Sequence, residues 1–311
     1  MKIVITGALG HIGSYVLREL PEIFPQCDII LLDNLSTQRY SSLFDLPENA
    51  RYQFHEMDVL EADLGPFIAK ADVVIHLAAI TNAAASFSNK DVVEHNNLNA
   101  TIRIADACSE SGVPLIHLSS TSVYGTQNET VDEACSDEEL KPQSPYAETK
   151  LKEESYLREL SGKSDLSYVI CRFGTICGVS KGMRFHTAVN KFCWQAVTKK
   201  PITVWRTALH QKRPYLTLVD AFKAICFIIQ NKLFDGEIYN IVTANLTVND
   251  ILNYIKDTIP EIQIEYVDTE IMNQLSYEVS SQKIRDAGLT FGDEMKTCIG
   301  ETISLLKGIR N

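Results

Sequence analysis

Six short apolar runs punctuate the first half of the chain, at residues 2–6, 28–32, 51–54, 72–77, 114–119 and 167–172. Most are rich in Ile, Val and Leu, and each has the length of a strand buried on both faces. Helical patterns lie between them at 11–20, closed by Pro21, in a long stretch around 86–111, and at 145–160. Strands alternating with helices predict an α/β fold, a doubly wound parallel sheet with helices on both faces. The second half changes character. Residues 182–199 read as a helix, and 213–219 as an extended stretch feeding a helix over 220–230. Val248, Ile251, Leu252, Ile255 and Ile259 then recur at helical spacing, with Thr247 as N-cap and Pro260 as terminator. No repeat, low-complexity tract or Gly/Ser linker separates the halves, so a smaller mixed α/β lobe is expected to pack directly on the first domain.

Composition narrows the function. The 311 residues are 45% hydrophobic and 22% charged, and 29 Lys and Arg face 40 Asp and Glu, for a net charge of −11. An acidic chain makes a poor general binder of nucleic acid or anionic membrane, so neither is expected as a partner. The longest apolar runs, such as 224–229, fall far short of the ~20 residues of a membrane-spanning helix. The N-terminal run is too short for a signal peptide and leads straight into a glycine turn. Eight cysteines carry no C-x-x-C pair and no His/Cys/Asp/Glu spacing suited to a metal, so thiols in a reducing cytoplasm are expected.

The first chemical motif is Gly7-Ala8-Leu9-Gly10-His11-Ile12-Gly13, set between the first strand and the first helix. Glycines there let the backbone turn, approach a pyrophosphate and pack helix on strand, while the helix N-terminus offers free N–H groups. Asp33 ends the second strand, twenty residues after Gly13, where a carboxylate accepts from adenosine ribose hydroxyls. That carboxylate repels a 2′-phosphate, and residues 34–37, beginning with Asn34, contain no Arg. NAD is therefore expected over NADP, with Arg39 the nearest basic residue.

The second motif is Tyr146 and Lys150, four residues apart on a helix that Ser144 caps and Pro145 opens. An ammonium beside a phenol favours the phenolate, so a lowered Tyr146 pKa is expected. Such a Tyr can take a proton from a substrate hydroxyl while hydride leaves the same carbon.

These motifs, with Asp58-Val59, His76-Leu77-Ala78-Ala79, Asn97 and the segment 119–125 (SSTSVYG), resemble an extended short-chain dehydrogenase/reductase of the NAD-dependent nucleotide-sugar epimerase/dehydratase family. The resemblance implies a Rossmann-type domain at 1–174 plus 214–241 and a nucleotide-sugar-binding lobe at 175–213 plus 242–311. It implies that Asp58 and Val59 hold adenine, that Leu77, Ala78 and Ala79 line the nicotinamide side by backbone, and that Asn97, His11, Ile12 and Asn34 belong to the cofactor site. Its catalytic hydroxyl lies four residues before Tyr124, at Ser120, with Thr121 the alternative. Thr121, Thr175, Arg184 and Arg213 fall where members contact substrate, and the helices around 86–111 and Tyr146 where members form a homodimer. His76 and Tyr124 read as core residues, and His11 as facing phosphate or solvent.

Dehydratases of the family place a Glu after the catalytic Thr, whereas this chain has Thr121-Ser122. The leading expectation is therefore NAD-dependent oxidation at C4 of a nucleotide-activated sugar, as a 4-epimerase or 4-dehydrogenase. The alternatives are 4,6-dehydration and a catalytically silent NAD-binding sensor or scaffold.

Overall fold

Ile3, Val4 and Ile5 are fully buried on both sides of the first strand, which makes the first apolar run the middle of a sheet rather than an edge. In this computed structural model, which describes every residue except 83, 84, 128, 129, 269–275, 293, 310 and 311, the first half alternates as the pattern predicts. It runs β1 (Lys2–Thr6), α1 (His11–Ile23), β2 (Asp28–Asp33), β3 (Arg51–Glu56), α2 (Gly65–Ile68), β4 (Val73–His76), α3 (Lys90–Ser111), β5 (Leu115–Ser120), β6 (Thr130–Val131), α4 (Pro145–Ser161) and β7 (Tyr168–Phe173). The second half continues with β8 (Thr175–Cys177), α5 (Ala188–Val197), β9 (Ile202–Trp205), β10 (Lys212–Thr217), α6 (Leu218–Asn231) and β11 (Ile238–Ile241). It ends with β12 (Ala244–Thr247), α7 (Val248–Thr258), β13 (Ile264–Val267), β14 (Glu278–Val279), α8 (Gln282–Asp286) and α9 (Met295–Leu306).

Seven strands form one sheet in the order β11-β7-β5-β4-β1-β2-β3, every pair parallel. The fold is the expected doubly wound Rossmann-type sheet. One face buries Val16, Leu17 and Leu20 of α1 with Leu218, Ile225 and Ile228 of α6. The other buries Ile68 of α2, Ala100, Ile104 and Cys108 of α3, and Leu157 of α4. A smaller sheet, β12-β10-β8, carries a third core shared by α5, α7 and α9. The expected boundary at residue 214 thus falls inside β10, a strand of the smaller sheet. Among the described residues no helix is long and apolar enough to cross a membrane.

Three local expectations change. Helix α1 does not stop at Pro21 but runs to Ile23. The carbonyl of Leu17, deprived of its donor by Pro21, accepts the Tyr52 hydroxyl at 3.0 Å instead. The long helix starts only at Lys90, because Asn89 leaves helical geometry (φ −136°, ψ 40°) after a short 3-10 turn. Residues 182–187 are not helical and α5 spans Ala188–Val197. The Gly182 N–H is spent on Ser14 Oγ at 2.8 Å, and a Cβ at Gly182 would stand 2.3 Å from the Leu9 carbonyl oxygen. This segment is laid across the glycine turn instead of coiling. Thr247 caps α7 in a full capping box with Asp250, as expected.

Candidate active site

The strand order reverses between β1 and β4, which opens a crevice at their C-terminal ends. Gly7 turns there with φ +62°, and a Cβ on it would stand 2.6 Å from the Ala78 nitrogen and 2.7 Å from the Leu77 carbonyl carbon. A Cβ on Gly13 would stand 2.5 Å from the Ala8 carbonyl oxygen. These two glycines therefore let β1, β4 and α1 meet. At Gly10 the nearest atoms would be Gly7 O at 3.2 Å and Arg39 Nη1 at 3.9 Å, so its side of the turn is the open one. Gly10 also leaves the N-terminus of α1 without a side-chain cap or an acidic residue in the first turn. The first N–H groups of the helix stay available to an anion.

Asp33 is fixed beside this turn. Its Oδ2 accepts the Leu9 N–H at 3.0 Å and its Oδ1 the Leu35 N–H at 2.9 Å. Asn34 is exposed and donates to Asp58 Oδ2 at 3.0 Å, while Asp58 Oδ1 accepts the Leu60 N–H at 2.9 Å. The carbonyl of the mostly buried Val59 accepts from Arg103 at 2.8 Å. Across the crevice Thr6 Oγ1 accepts the N–H groups of Leu77 and Ala78, both at 3.2 Å, and lies 2.7 Å from His76 Nδ1. His76 is buried, and desolvation holds it down to a pKa of about 3; it is a core histidine, as expected. Ala79 and Ile12 are partly buried. These residues fit a dinucleotide: glycines where a Cβ would block the turn, an uncapped helix N-terminus, and a seated carboxylate on the next strand.

One cofactor expectation needs correction. His11 does not face phosphate or solvent. It is 3% exposed, burial lowers its pKa to about 4, and its neutral ring donates from Nε2 to the Gly178 carbonyl at 2.9 Å. Its side chain ties α1 to the start of the second lobe. Asn97 Oδ1 accepts the Ile80 N–H at 2.7 Å and its Nδ2 donates to the Ile80 carbonyl at 2.9 Å, which shapes the backbone beyond Ala79.

Helix α4 starts where Ser144 Oγ accepts the Ala147 N–H at 3.2 Å. Tyr146 and Lys150 then share a face, with Lys150 Nζ 5.9 Å from the Tyr146 ring centroid. Lys150 is buried and donates to the Leu118 carbonyl at 2.9 Å and to Glu153 Oε2 at 2.7 Å. Burial alone would discharge it, but Glu153, Tyr146 and Glu154 together hold its pKa above the ordinary lysine value. Tyr146 departs from expectation. Desolvation pushes its phenol up, Lys150 and Arg184 pull it down, and Glu153 offsets part of their field, so the net direction is upward. Without cofactor the phenol is thus the stable form.

Ser120 ends β5, partly exposed, with its Oγ 2.9 Å from Ser122 Oγ and accepting the Ser122 N–H at 3.2 Å. Thr121 is 2% exposed and donates to the Phe173 carbonyl at 3.3 Å, so its hydroxyl is turned into the core and is a poor candidate for either role considered for it. Tyr124 is fully buried and donates to Asn240 Oδ1 at 3.0 Å. Arg184 donates to Thr81 Oγ1 and shares its surroundings with Tyr146 and Arg39. Thr175 and Arg213 lie on adjacent strands of the smaller sheet, Thr175 opposite Tyr215, with Arg213 near Tyr215 and Tyr277. Of these substrate candidates, Arg184 is the one whose charge acts on the phenol. Sequence reasoning missed Glu153 and His117. Only Glu153 left a signal, three residues after Lys150 on the same helix face.

A doubly wound sheet with this turn, this acid and this Tyr/Lys pair defines an NAD-binding oxidoreductase of the extended short-chain dehydrogenase type. The chain belongs to the NAD dependent epimerase/dehydratase family, whose sequence profile matches residues 3–242, and it is an NAD-dependent enzyme of that family. It is 31% identical over 249 residues to the Uncharacterized UDP-glucose epimerase YtcB of Bacillus subtilis (strain 168), across 78% of this chain and 76% of that protein. It is 27% identical over 298 residues to a trifunctional UDP-glucose 4,6-dehydratase/UDP-4-keto-6-deoxy-D-glucose 3,5-epimerase/UDP-4-keto-L-rhamnose-reductase of Arabidopsis thaliana. That match takes in 92% of this chain but 44% of the plant protein, so the chain spans less than half of it. Its fold matches that of the UDP-glucuronic acid 4-epimerase of Bacillus cereus, solved with UDP-glucuronic acid and NAD, with a TM-score of 0.90, 24% identity and 99% of each chain covered.

Proposed function

We propose that the chain oxidises C4 of a nucleoside-diphosphate sugar and acts as a 4-epimerase, or as a 4-dehydrogenase if the keto sugar leaves before reduction. The single observation behind this choice is the pair Thr121-Ser122, two hydroxyls where elimination of the C6 hydroxyl would need a carboxylic acid. Tyr146 takes the proton of the sugar hydroxyl, Ser120 hydrogen-bonds the same oxygen, and Lys150 favours the phenolate and holds the ribose next to the nicotinamide. NAD, when bound, supplies the hydride acceptor. Gly7, Gly10 and Gly13 with the N-terminus of α1 hold its pyrophosphate; Asp33 and Asn34 take the adenosine ribose, Asp58 and Val59 the adenine, and the backbone at 77–79 the nicotinamide.

The lobe formed by 175–213 and 242–311 holds the nucleotide, with Arg213 and Thr175 toward the diphosphate sugar and Arg184 near the reacting end. The protein works in the cytoplasm, where its eight free cysteines stay thiols. Two copies pair through α3 and α4, beside which Phe87 and Val92 are exposed. Incubation with UDP-, GDP-, CDP- and dTDP-sugars, followed by mass spectrometry and absorbance of NADH, tests the reading. An isomer of unchanged mass supports epimerisation, stoichiometric NADH supports the dehydrogenase, and a product lighter by one water refutes both.

A further inference from the structure

Beyond Tyr146 and Lys150 the site continues inward through groups that the reaction just described does not use. Glu153 has no exposed side-chain surface. Its Oε2 receives the Lys150 ammonium at 2.7 Å and has His117 Nε2 at 3.1 Å. His117 is also fully buried, and its ring stacks on that of His76 with centroids 5.8 Å apart. Glu153 Oε1 and both ring nitrogens of His117 are buried with no hydrogen-bond partner among the described residues, so His117 Nε2 stands close to the carboxylate without a well-aligned bond to it. The neighbouring carboxylate is occupied elsewhere: Glu154 takes Arg172 through two bonds, at 3.0 and 2.7 Å, and the Ser119 hydroxyl at 2.5 Å.

A carboxylate sealed from water is tolerated beside a cation that needs it. Here the cation is the ammonium under Tyr146, itself nearly sealed, with a side chain 5% exposed. One of its protons goes to the Leu118 carbonyl and one to Glu153, which leaves the third for the phenol or a cofactor ribose. We propose that Glu153 is a positioning residue for the Tyr146–Lys150 pair: its carboxylate keeps the buried ammonium charged and seated at the Leu118 carbonyl.

The charged and titratable groups around Lys150 are few. Tyr146, Glu153 and Glu154 face it from α4, His117 from β5 and His76 from β4. Arg184 acts on Tyr146 from the second lobe, and Arg172 of β7 balances Glu154. Both histidines are kept neutral by burial. Glu153 is thus the one counter-charge in direct contact with the ammonium among the described residues. If it becomes an amide, Lys150 must give up its proton at lower pH, and Tyr146 and the cofactor lose their cationic neighbour above that pH.

The proposal rests on the active site assigned above, and two separate readouts keep the two apart. Protein carrying lysine labelled with 13C at Cε reports the protonation of Lys150 directly, with Lys150→Arg identifying the signal. Calorimetric titration with NAD at pH 7 and pH 9 reports the consequence. In Glu153→Gln the Lys150 signal should titrate at lower pH than in wild type. NAD affinity should then fall at least ~10-fold between pH 7 and 9, against less than ~2-fold in wild type, the worth of about one charge-assisted hydrogen bond. Glu153→Asp should displace the titration in the same direction but less, and it carries the test if Glu153→Gln does not fold. Lys150 titrating as in wild type in every folded variant would overturn the proposal. If Lys150→Met bound NAD as wild type does, the active-site assignment would fall, while the Cε titration would still decide whether Glu153 holds the ammonium.

Discussion

Gly7→Ala puts a methyl group at the point where the crevice is tightest. Two costs add. An alanine at φ +62° is in the left-handed region, at about 1–2 kcal/mol. Its Cβ would also stand 2.6 Å from the Ala78 nitrogen and 2.7 Å from both the Ala78 Cα and the Leu77 carbonyl carbon. All three are backbone, so no side chain can swing aside; the exits of β1 and β4 must separate, at roughly 1–3 kcal/mol for an overpacked site. A total of about 2–5 kcal/mol should lower the melting temperature by ~4–10 °C, using the ~2 °C per kcal/mol suited to a long chain. Gly112→Ala is the control. It has nearly the same dihedral, φ +65°, but no atom within 4 Å of the added Cβ, so only the backbone cost of about 1–2 kcal/mol applies. Calorimetric melting of both variants, with NAD titration of each, separates the terms. Gly7→Ala should lose most of its NAD affinity and Gly112→Ala none. Equal destabilisation of the two, with wild-type NAD binding by Gly7→Ala, would refute this account of the crevice.

Other outcomes follow from the same geometry. Tyr146→Phe should lower turnover at least ~100-fold on the substrate found in the sugar panel while leaving NAD binding within a few-fold; near-wild-type turnover would remove Tyr146 as the base. Wild-type protein should bind NAD more tightly than NADP, and Asp33→Ser should shrink that margin, with equal NADPH binding by the wild type as the contrary result. His11 titrates near 4 folded against 6.5 in a free chain, so the unfolded state binds the extra proton between those values and stability falls as pH drops through that window. From pH 7 to pH 5 this term is worth about 2 kcal/mol, and urea midpoints of His11→Gln should lose that much of the slope. Light scattering at micromolar concentration should give twice the mass of one chain, and Val92→Glu should reduce it to that of one; a wild-type monomer would count against pairing through α3.

What could be read in advance was whatever depends on local spacing. The strand-glycine-helix sequence at 2–13, the acid at Asp33 and the i, i+4 pair of Tyr146 and Lys150 need only neighbours in the chain to be recognised. What could not be read depends on a distant partner. Pro21 looks like a stop until the Tyr52 hydroxyl, 35 residues from Leu17 in sequence, takes the freed carbonyl. Residues 182–187 look helical until Ser14, Leu9 and Gly10 claim their backbone. Thr121 and Ser120 are indistinguishable by type, and only the carbonyl of Phe173 on the next strand tells which hydroxyl is spent. The direction of the Tyr146 pKa failed for the same reason. Lys150 was visible, but the burial of the phenol and the opposing charge of Glu153 were not.

The two groups proposed to handle the proton, Ser120 and Tyr146, come from different elements, and their separation depends on how β5 and α4 are joined. Three consecutive residues of β5 make that joint. The Leu118 carbonyl takes Lys150, the Ser119 hydroxyl donates to Glu154, and Ser120 follows at the strand end. Arg172 then fixes Glu154 from β7 on the far side. Buried bonds to rigid elements leave the hydroxyl and the phenol little freedom to separate. No comparable acid or base stands beside Ser120 on its own segment: Thr121 is turned into the core and Ser122 is bonded to Ser120. Neutral hydroxyls cannot remove a C5 proton and expel a C6 hydroxyl near pH 7, so under the proposed reading chemistry stops at one proton and one hydride on a single carbon. What distinguishes an epimerase from a dehydrogenase on this scaffold must then be whether the keto sugar can turn its other face before it leaves. Under the proposed reading that choice belongs to the lobe around Thr175, Arg184 and Arg213, not to the Tyr–Lys pair.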